Sequence, residues 1–469
     1  MRTSNIATLL GALTLAALPA CSDNDSDKPS GAGGAGGTNT SSGGSTAHSG
    51  ASGLSERASV GLSIAPSPLS VAGKTTPELE SIGRGSYLVN AGGVCMDCHS
   101  TRPTTTSDAQ YLAGNVKFAI APSLYVYARN LTPDPETGMK LTRAEFIETM
   151  RTGKDFKNSP PGETPQVMFA MPWMVYRWLS DVDLNGIYDY LQVIPPIHME
   201  SPPDNKGPAA AVPPTPFPAM FDEGDELRSL PPDDASDPDH ALRGLALQPL
   251  ADASTSMSPS EKQLFGRGSY LANAISNCNN CHTNPDRGGP GPDYLKVTTS
   301  VYLTGGLVFG VPEGLKPIIG ETRVQAANLV GTHNGWSNKA DLDTFLRLIR
   351  EGTHVDEASN QPVGFPMPTQ FYKNMVQSDL EAIFVYMNRV ARTENNDNPT
   401  QETARYCDAD EQCKFDGEHC NVDAHECVGK ACTGTGYAIE CGACQSCVSG
   451  ACAAPAPDDA CLQTMLQIY

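Results

Sequence analysis

The sequence predicts a mainly α chain of two tandem repeats, followed by a small disulfide-rich C-terminal module. Three observations carry this reading. The pentapeptide C-x-x-C-H occurs twice, at Cys95–His99 and Cys278–His282. The run GRGSYL precedes both, at Gly83–Leu88 and Gly266–Leu271, with the same spacing to the cysteines. Ten of the 15 cysteines fall between Cys407 and Cys461.

Taken in order, residues 1–20 read as a lipoprotein signal peptide. Arg2 supplies the positive start, and Ile6–Leu18 is an apolar stretch too short to span a bilayer. Leu18-Pro19-Ala20-Cys21 resembles a bacterial lipobox, so Cys21 is the expected lipidation site. An ordinary secretory signal is the alternative. Ser22 rather than Asp after the cysteine points to the outer membrane, facing the periplasm. Residues 21–75 read as a Gly/Ser-rich tether that buries no core. As a flexible coil it would span about 40 Å root-mean-square.

Residues 76–200 form the first repeat, 201–257 a Pro- and acid-rich linker, and 258–395 the second repeat. The correspondence runs well past the cysteines. Tyr111-Leu112-Ala113-Gly114 answers Tyr302-Leu303-Thr304-Gly305, and Asn130-Leu131 answers Asn328-Leu329. Arg151-Thr152-Gly153 answers Arg350-Glu351-Gly352, Asp183-Leu184 answers Asp379-Leu380, and Tyr190 answers Tyr386. Within each repeat, apolar residues three and four apart mark helices over Ser180–Val193 and Ser378–Val390. Thr142–Arg151 and Lys339–Arg350 read as shorter ones, with Thr142 and Glu145 at capping-box spacing. Gly83–Gly92 reads as the start of a helix, and strand-like alternation is rare.

C-x-x-C-H is the attachment pattern of c-type haem. Cys95 and Cys98, and again Cys278 and Cys281, would add their thiols to the haem vinyl groups. His99 and His282 would become proximal iron ligands, giving two covalently bound haems. A redox dithiol would follow a strand in a βαβ unit, and zinc would need further close ligands. A sixth, soft ligand is expected from methionine. Met171-Pro172 and Met367-Pro368 each lie 12 residues before the aspartate of the following helix, Asp183 or Asp379. That shared register selects Met171 over Met168 and Met174, and Met367 over His333 and His354.

These motifs together resemble class I cytochrome c domains. They are most similar to those in cytochrome subunits of membrane-associated alcohol, gluconate and aldehyde dehydrogenases. The resemblance covers 76–200 and 258–395. It implies that the Asn130–Gly138 loop packs near the haem edge. A tryptophan often follows that loop in the family; Leu141 stands there in the first repeat and Trp336 in the second. It also implies redox partner proteins: a dehydrogenase, another cytochrome or an oxidase. Those subunits commonly carry three haems and a C-terminal anchor, whereas this chain has two motifs and an N-terminal lipid anchor.

Residues 405–469 form the Cys-rich module, read as five disulfides of unreadable connectivity. The run Cys441, Cys444, Cys447, Cys452 departs from ferredoxin spacing, with four residues before the last cysteine and Ala453 after it. The net charge of −21 argues against nucleic acid as a partner. The function expected is a dihaem electron carrier in the periplasm, between a dehydrogenase or quinol-linked donor and a terminal acceptor. The chain reads as a carrier rather than an enzyme. The alternative is a dihaem peroxidase, which needs an iron with an open or displaceable sixth position. A third reading is a binding protein whose tail docks a partner.

Overall fold

Each GRGSYL run lies at the end of a helix held from two sides by backbone contact. The computed structural model describes residues 53–66, 68–100, 110–121, 124–156, 168, 171–205, 230–231, 233, 236–249, 256–283, 302–305, 308–310, 323–330, 341–352, 363 and 367–390. It also describes short tail strands between 419 and 453. The described part is mainly helical. Residues 1–20 and Cys21 lie outside it, as do Trp336, His333 and His354.

The first repeat opens with α1 (Glu56–Ile64) and α2 (Thr76–Tyr87). Thr75 and Glu78 close a capping box at the start of α2, with Pro77 in its first turn. Gly83-Arg84-Gly85 therefore ends a helix rather than starting one, and the chain continues as a π-helical turn, Leu88–Gly92. Then come α3 (Cys95–His99), the hairpin β1 (Lys117–Ala121) with β2 (Leu124–Tyr127), α4 (Arg143–Thr152), α5 (Trp173–Tyr176) and α6 (Asp181–Leu191).

The second repeat uses the same elements in the same order. They are α7 (Ala241–Leu247), α8 (Pro259–Tyr270), a π turn Leu271–Ile275 and α9 (Cys278–His282). The hairpin β3 (Val308–Gly310) with β4 (Arg323–Gln325) follows, then α10 (Leu342–Glu351), α11 (Thr369–Tyr372) and α12 (Gln377–Arg389). The expected helices shift by one to three residues at their ends. α10 starts at Asp341 as N-cap, and α12 starts one residue early, after Val376. The two hairpins were not expected from the sequence pattern; each is only a few residues per strand.

Two expected boundaries change. Residues 21–75 do not all form a tether, because α1 lies inside that range with Leu54 and Ala58 buried. Residues 201–257 do not all form a linker, because α7 lies inside it with Ala241 and Leu247 buried. These helices pack through close backbone contact as well as through apolar side chains such as Leu62, Ile64 and Leu247. A β-carbon on Gly83 would lie 2.4 Å from the Ala58 carbonyl oxygen, and one on Gly266 would lie 2.2 Å from that of Ala241. On the other side of the same helices, Gly85 meets Gly186 of α6 and Gly268 meets Ala382 of α12. A helical glycine costs roughly 1 kcal/mol against alanine. The close helix crossings offset that cost.

α1 and α7 are equivalents. Arg57, Ala58, Gly61, Leu62 and Pro66 stand 183 positions before His240, Ala241, Gly244, Leu245 and Pro249, the same offset as the cysteines. The repeat therefore begins upstream of the expected 76 and 258.

The repeats share one boundary, built reciprocally. Tyr87 donates to Asp379 at 2.8 Å, and Tyr270 donates to Asp183 at 2.6 Å. Each tyrosine hydroxyl also accepts a backbone N–H at the start of the other repeat's last helix: Val376 to Tyr87 at 3.0 Å, Ser180 to Tyr270 at 2.8 Å. Arg267 grips Asp379 with two bonds, at 2.9 and 2.8 Å, and Arg84 pairs with Asp183. Arg57 of α1 reaches the same Asp379 at 2.7 Å. Its equivalent His240 lies 3.5 Å from Asp183. Burial alone would raise both carboxyl pKa values. Arg84 beside Asp183, and Arg267 with Arg57 beside Asp379, outweigh it and hold both below the ordinary carboxylate range.

In the tail, β5 (His419–Asn421) pairs with β6 (Glu426–Val428), setting Cys420 opposite Cys427. β8 (Ser446–Val448) lies between β7 (Gly436–Tyr437) and β9 (Ala451–Ala453), setting Cys447 opposite Cys452. The remaining tail cysteines lie outside the described residues.

Candidate haem-binding sites

Each C-x-x-C-H forms one short helix, and the residue before it turns left-handed: Val94 at φ 47° and Asn277 at φ 55°. A β-branched residue there is strained, by about 1–3 kcal/mol. The same unusual backbone at equivalent positions indicates that the motif, not the local residue, dictates the turn.

The histidine at the end of each helix is oriented by a backbone carbonyl. His99 Nδ1 lies 2.8 Å from the Arg129 oxygen, and His282 Nδ1 lies 2.7 Å from the Ala327 oxygen. A carbonyl only accepts, so Nδ1 carries the proton. Burial lowers both imidazole pKa values, keeping the rings neutral. Nε2 is then a lone-pair donor, and among the described residues it has no hydrogen-bond partner. That is the state a metal-ligating histidine needs.

The repeated Asn-Leu dipeptides hold these carbonyls in place. Asn130 follows Arg129, accepts from Thr132 N–H at 2.9 Å and donates to the Ile197 carbonyl at 2.8 Å. Asn328 follows Ala327 and accepts from Val330 N–H at 3.1 Å. The left-handed turns at Leu112 and Leu303 complete the fixture. Gly114 N–H donates to the His99 carbonyl at 2.7 Å, and Gly305 N–H to that of His282 at 2.6 Å.

The four thiols of the two motifs are unpaired. Burial pushes Cys95, Cys98 and Cys278 up to about 12, and Cys281 up to about 11. A working redox dithiol has the opposite shift, toward the thiolate. Among the described residues, no cluster of three or more His, Cys, Asp or Glu side chains converges as a metal site. An iron held at His99 or His282 would therefore need further ligands from outside these side chains. A porphyrin supplies them, and the two adjacent neutral thiols fit its covalent attachment.

Met171 and Met367 are half-buried against the same core as Cys95 and Cys278. They start matching turns: Trp173 N–H donates to the Met171 carbonyl at 2.8 Å, and Thr369 N–H to that of Met367 at 2.9 Å. The repeated Arg-x-Gly motif fixes this segment. Arg151 donates to the Arg177 carbonyl at the end of α5, and Arg350 to the Lys373 carbonyl at the end of α11. Gly153, at φ 74°, lies against the Trp173 ring, where a β-carbon would approach to 2.3 Å. Met168 N–H donates to the Gly153 carbonyl at 2.6 Å. The Met174 side chain lies outside the described residues.

A matched polar network lies beside each cysteine pair. Tyr111 bonds Asn90 at 2.5 Å and Tyr190 at 2.7 Å; Tyr302 bonds Asn273 at 2.6 Å and Tyr386 at 2.8 Å. All four tyrosines are buried, and burial raises their pKa values, up to about 12 for Tyr190 and Tyr386. They stay protonated donors. The repeats differ where the second motif carries Ser276, Asn277 and Asn279, each with a buried side-chain oxygen that has no partner among the described residues. The first has Gly93, Val94 and Met96 there.

The residues that orient the histidines escaped sequence reasoning, because a backbone carbonyl has no residue type. The signal available was the repeated Asn-Leu immediately after them. The α1–α7 repeat was legible at the cysteine offset and was missed for want of an apolar period.

No family model matches the chain. It is 26% identical over 227 residues to the fructose dehydrogenase cytochrome subunit of Gluconobacter japonicus, covering 48% of this chain and 38% of that one. It is 28% identical over 276 residues to the gluconate 2-dehydrogenase cytochrome c subunit of Pantoea cypripedii, covering 57% and 51%. It is 27% identical over 229 residues to the cytochrome c subunit of the quinone-dependent alcohol dehydrogenase of Gluconobacter oxydans, covering 48% and 40%. The matched stretch spans about half or less of each relative. Over about half its length, this chain is similar to the cytochrome subunits of dehydrogenases.

Proposed function

We propose that the chain is a dihaem c-type cytochrome that carries electrons for a dehydrogenase. One observation supports this above the others. Two neutral, carbonyl-oriented histidines each follow a pair of half-buried free thiols, at equivalent places in the two repeats. In this reading Cys95, Cys98, Cys278 and Cys281 hold the two haems. His99 and His282 would ligate the irons, with Met171 and Met367 as the second protein ligands. Haem c supplies one-electron chemistry at an iron whose potential is set by its axial ligands and surroundings. The polypeptide orients the imidazoles through Arg129 and Ala327, and fixes the methionine segments with Arg151 and Arg350.

The names of the relatives support a dehydrogenase as donor. Export, with Cys21 lipidated and the protein facing the periplasm, is supported by the N-terminal sequence. No helix among the described residues is long and apolar enough to cross a membrane. The test is haem content and spin state of the exported protein. Mass measurement should show two covalent haems, and the ferric spectrum should be low-spin at both. Any other number sinks the dihaem reading, and a high-spin ferric component sinks the carrier reading in favour of peroxidase chemistry.

A further inference from the structure

Each methionine segment is braced by both repeats. Tyr176, at the end of α5, donates its hydroxyl to the Gly93 carbonyl at 2.7 Å, two residues before Cys95. Tyr372, at the end of α11, donates to the Ser276 carbonyl at 2.7 Å, two residues before Cys278. Each bond ties the segment after Met-Pro to the turn that leads into its own cysteines. The same short helices also cross the repeat boundary. α5 packs on the second repeat's π turn, and α11 packs on the first repeat's π turn.

These features converge on one place. The two π turns touch where Gly92 faces Ile275, and a β-carbon on Gly92 would come within 2.6 Å of the Ile275 side chain. Tyr176 and Tyr372 are both buried. Tyr372 lies within electrostatic range of Tyr176 and of Asp97, which stands between the first pair of cysteines. A tyrosine suits this position physically. Its ring fills the boundary, and its hydroxyl donates to a carbonyl of a buried residue. Packed interfaces move as units rather than deforming freely, so displacing one arm displaces the surface that backs the other.

We propose that Tyr176 and Tyr372 are reciprocal positioning residues that couple the two haem sites, each tying one methionine arm to its own cysteine-bearing turn while the arm's helix packs on the other repeat's π turn. This rests on the dihaem reading above. Loosening either hydroxyl bond then alters the environment of both irons, not only the nearer one.

The experiment is potentiometric titration of the full-length exported protein as wild type, Tyr176→Phe and Tyr372→Phe, followed optically, with haem content measured on each sample. Each single variant should move both midpoints. The larger shift should reach a tenfold change in the one-electron equilibrium, about 59 mV. If the sites are independent, each variant moves one midpoint, a different one in each case, and the coupling is overturned. If neither midpoint moves in either variant, the positioning role is overturned. A wild type without two haems marks failure of the dihaem reading instead. Where a phenylalanine variant does not accumulate, Met367→Ala reads the coupling from the other side. The midpoint of the first-repeat haem should move, and an unmoved midpoint overturns the proposal.

Discussion

The Tyr87 hydroxyl in the first repeat donates to the Asp379 carboxylate in the second across 2.8 Å, in a boundary where Asp379 is fully buried. Tyr270 and Asp183 make the same bond in the opposite direction. Neither carboxylate has its full set of partners unless both repeats are present and docked. The boundary is therefore part of each repeat's own folding energy.

Asp379→Asn leaves the buried Arg267 without its paired carboxylate and takes one of two from Arg57, which keeps Asp239. The expected loss is about 3–5 kcal/mol, read by chemical denaturation of the mature protein. Tyr87→Phe removes the bond to this carboxylate and leaves the Val376 N–H without its acceptor, and should cost about 1.5–3 kcal/mol. A loss below 1 kcal/mol for Asp379→Asn would mean the cluster is solvated in solution.

Stability should also respond to acid in a defined window. The folded pKa values of Asp183 and Asp379 are depressed, against about 3.9 in the unfolded chain. Their contribution is fully present above the unfolded value and is lost progressively as pH falls below it, toward the depressed folded values. Wild-type stability should therefore decline steeply below about pH 4. Asp379→Asn should show a shallower slope there, measured by denaturation at fixed pH values. Equal slopes would remove Asp379 from the acid response.

Helix α1 should behave as part of the first repeat. A β-carbon on Gly61 would lie 1.9 Å from the Gly83 carbonyl oxygen. Gly61→Ala should cost about 1–3 kcal/mol through the forced helix separation, and Gly244→Ala a similar amount in the second repeat. A chain starting at residue 76 should melt well below one starting at residue 53. Equal melting temperatures would return α1 to the tether.

Val94 is strained at φ 47°, where the second repeat uses Asn277. Asparagine tolerates the left-handed region through its short polar side chain. Val94→Asn should therefore stabilise the protein by about 1 kcal/mol, seen as a rise in melting temperature with haem attachment intact. A loss of stability would show that Val94's packing against the core outweighs its backbone strain.

The axial assignment separates three methionines. Met171→Ala and Met367→Ala should each lower the potential of the haem in their own repeat by on the order of 100 mV, with a smaller shift at the other, and open that nearer iron to carbon monoxide or cyanide. Met168→Ala should leave both potentials in place. A potential shift from Met168→Ala without one from Met171→Ala would overturn the register argument between the repeats.

The sequence by itself marked the candidate haem-binding positions and determined the helical class. C-x-x-C-H, Met-Pro and the long amphipathic helices are local patterns: their residues lie within a few positions of one another or share one helical period. The helix over Asp181–Leu191, with Ser180 as its N-cap, shows how much such periodicity conveys. The reason for GRGSYL was not local. Gly83 and Gly85 yield to two different helices, Arg84 answers Asp183, and Tyr87 answers Asp379 almost 300 positions away. The histidine-orienting carbonyls of Arg129 and Ala327 carry no side-chain signal at all. α1 and α7 are short, and the glycine and alanine contacts that bring their backbones close to α2 and α8 leave little hydrophobic period to read. Tertiary structure alone decided how the repeats meet, since a buried carboxylate is stable only where distant cations and hydroxyls converge on it.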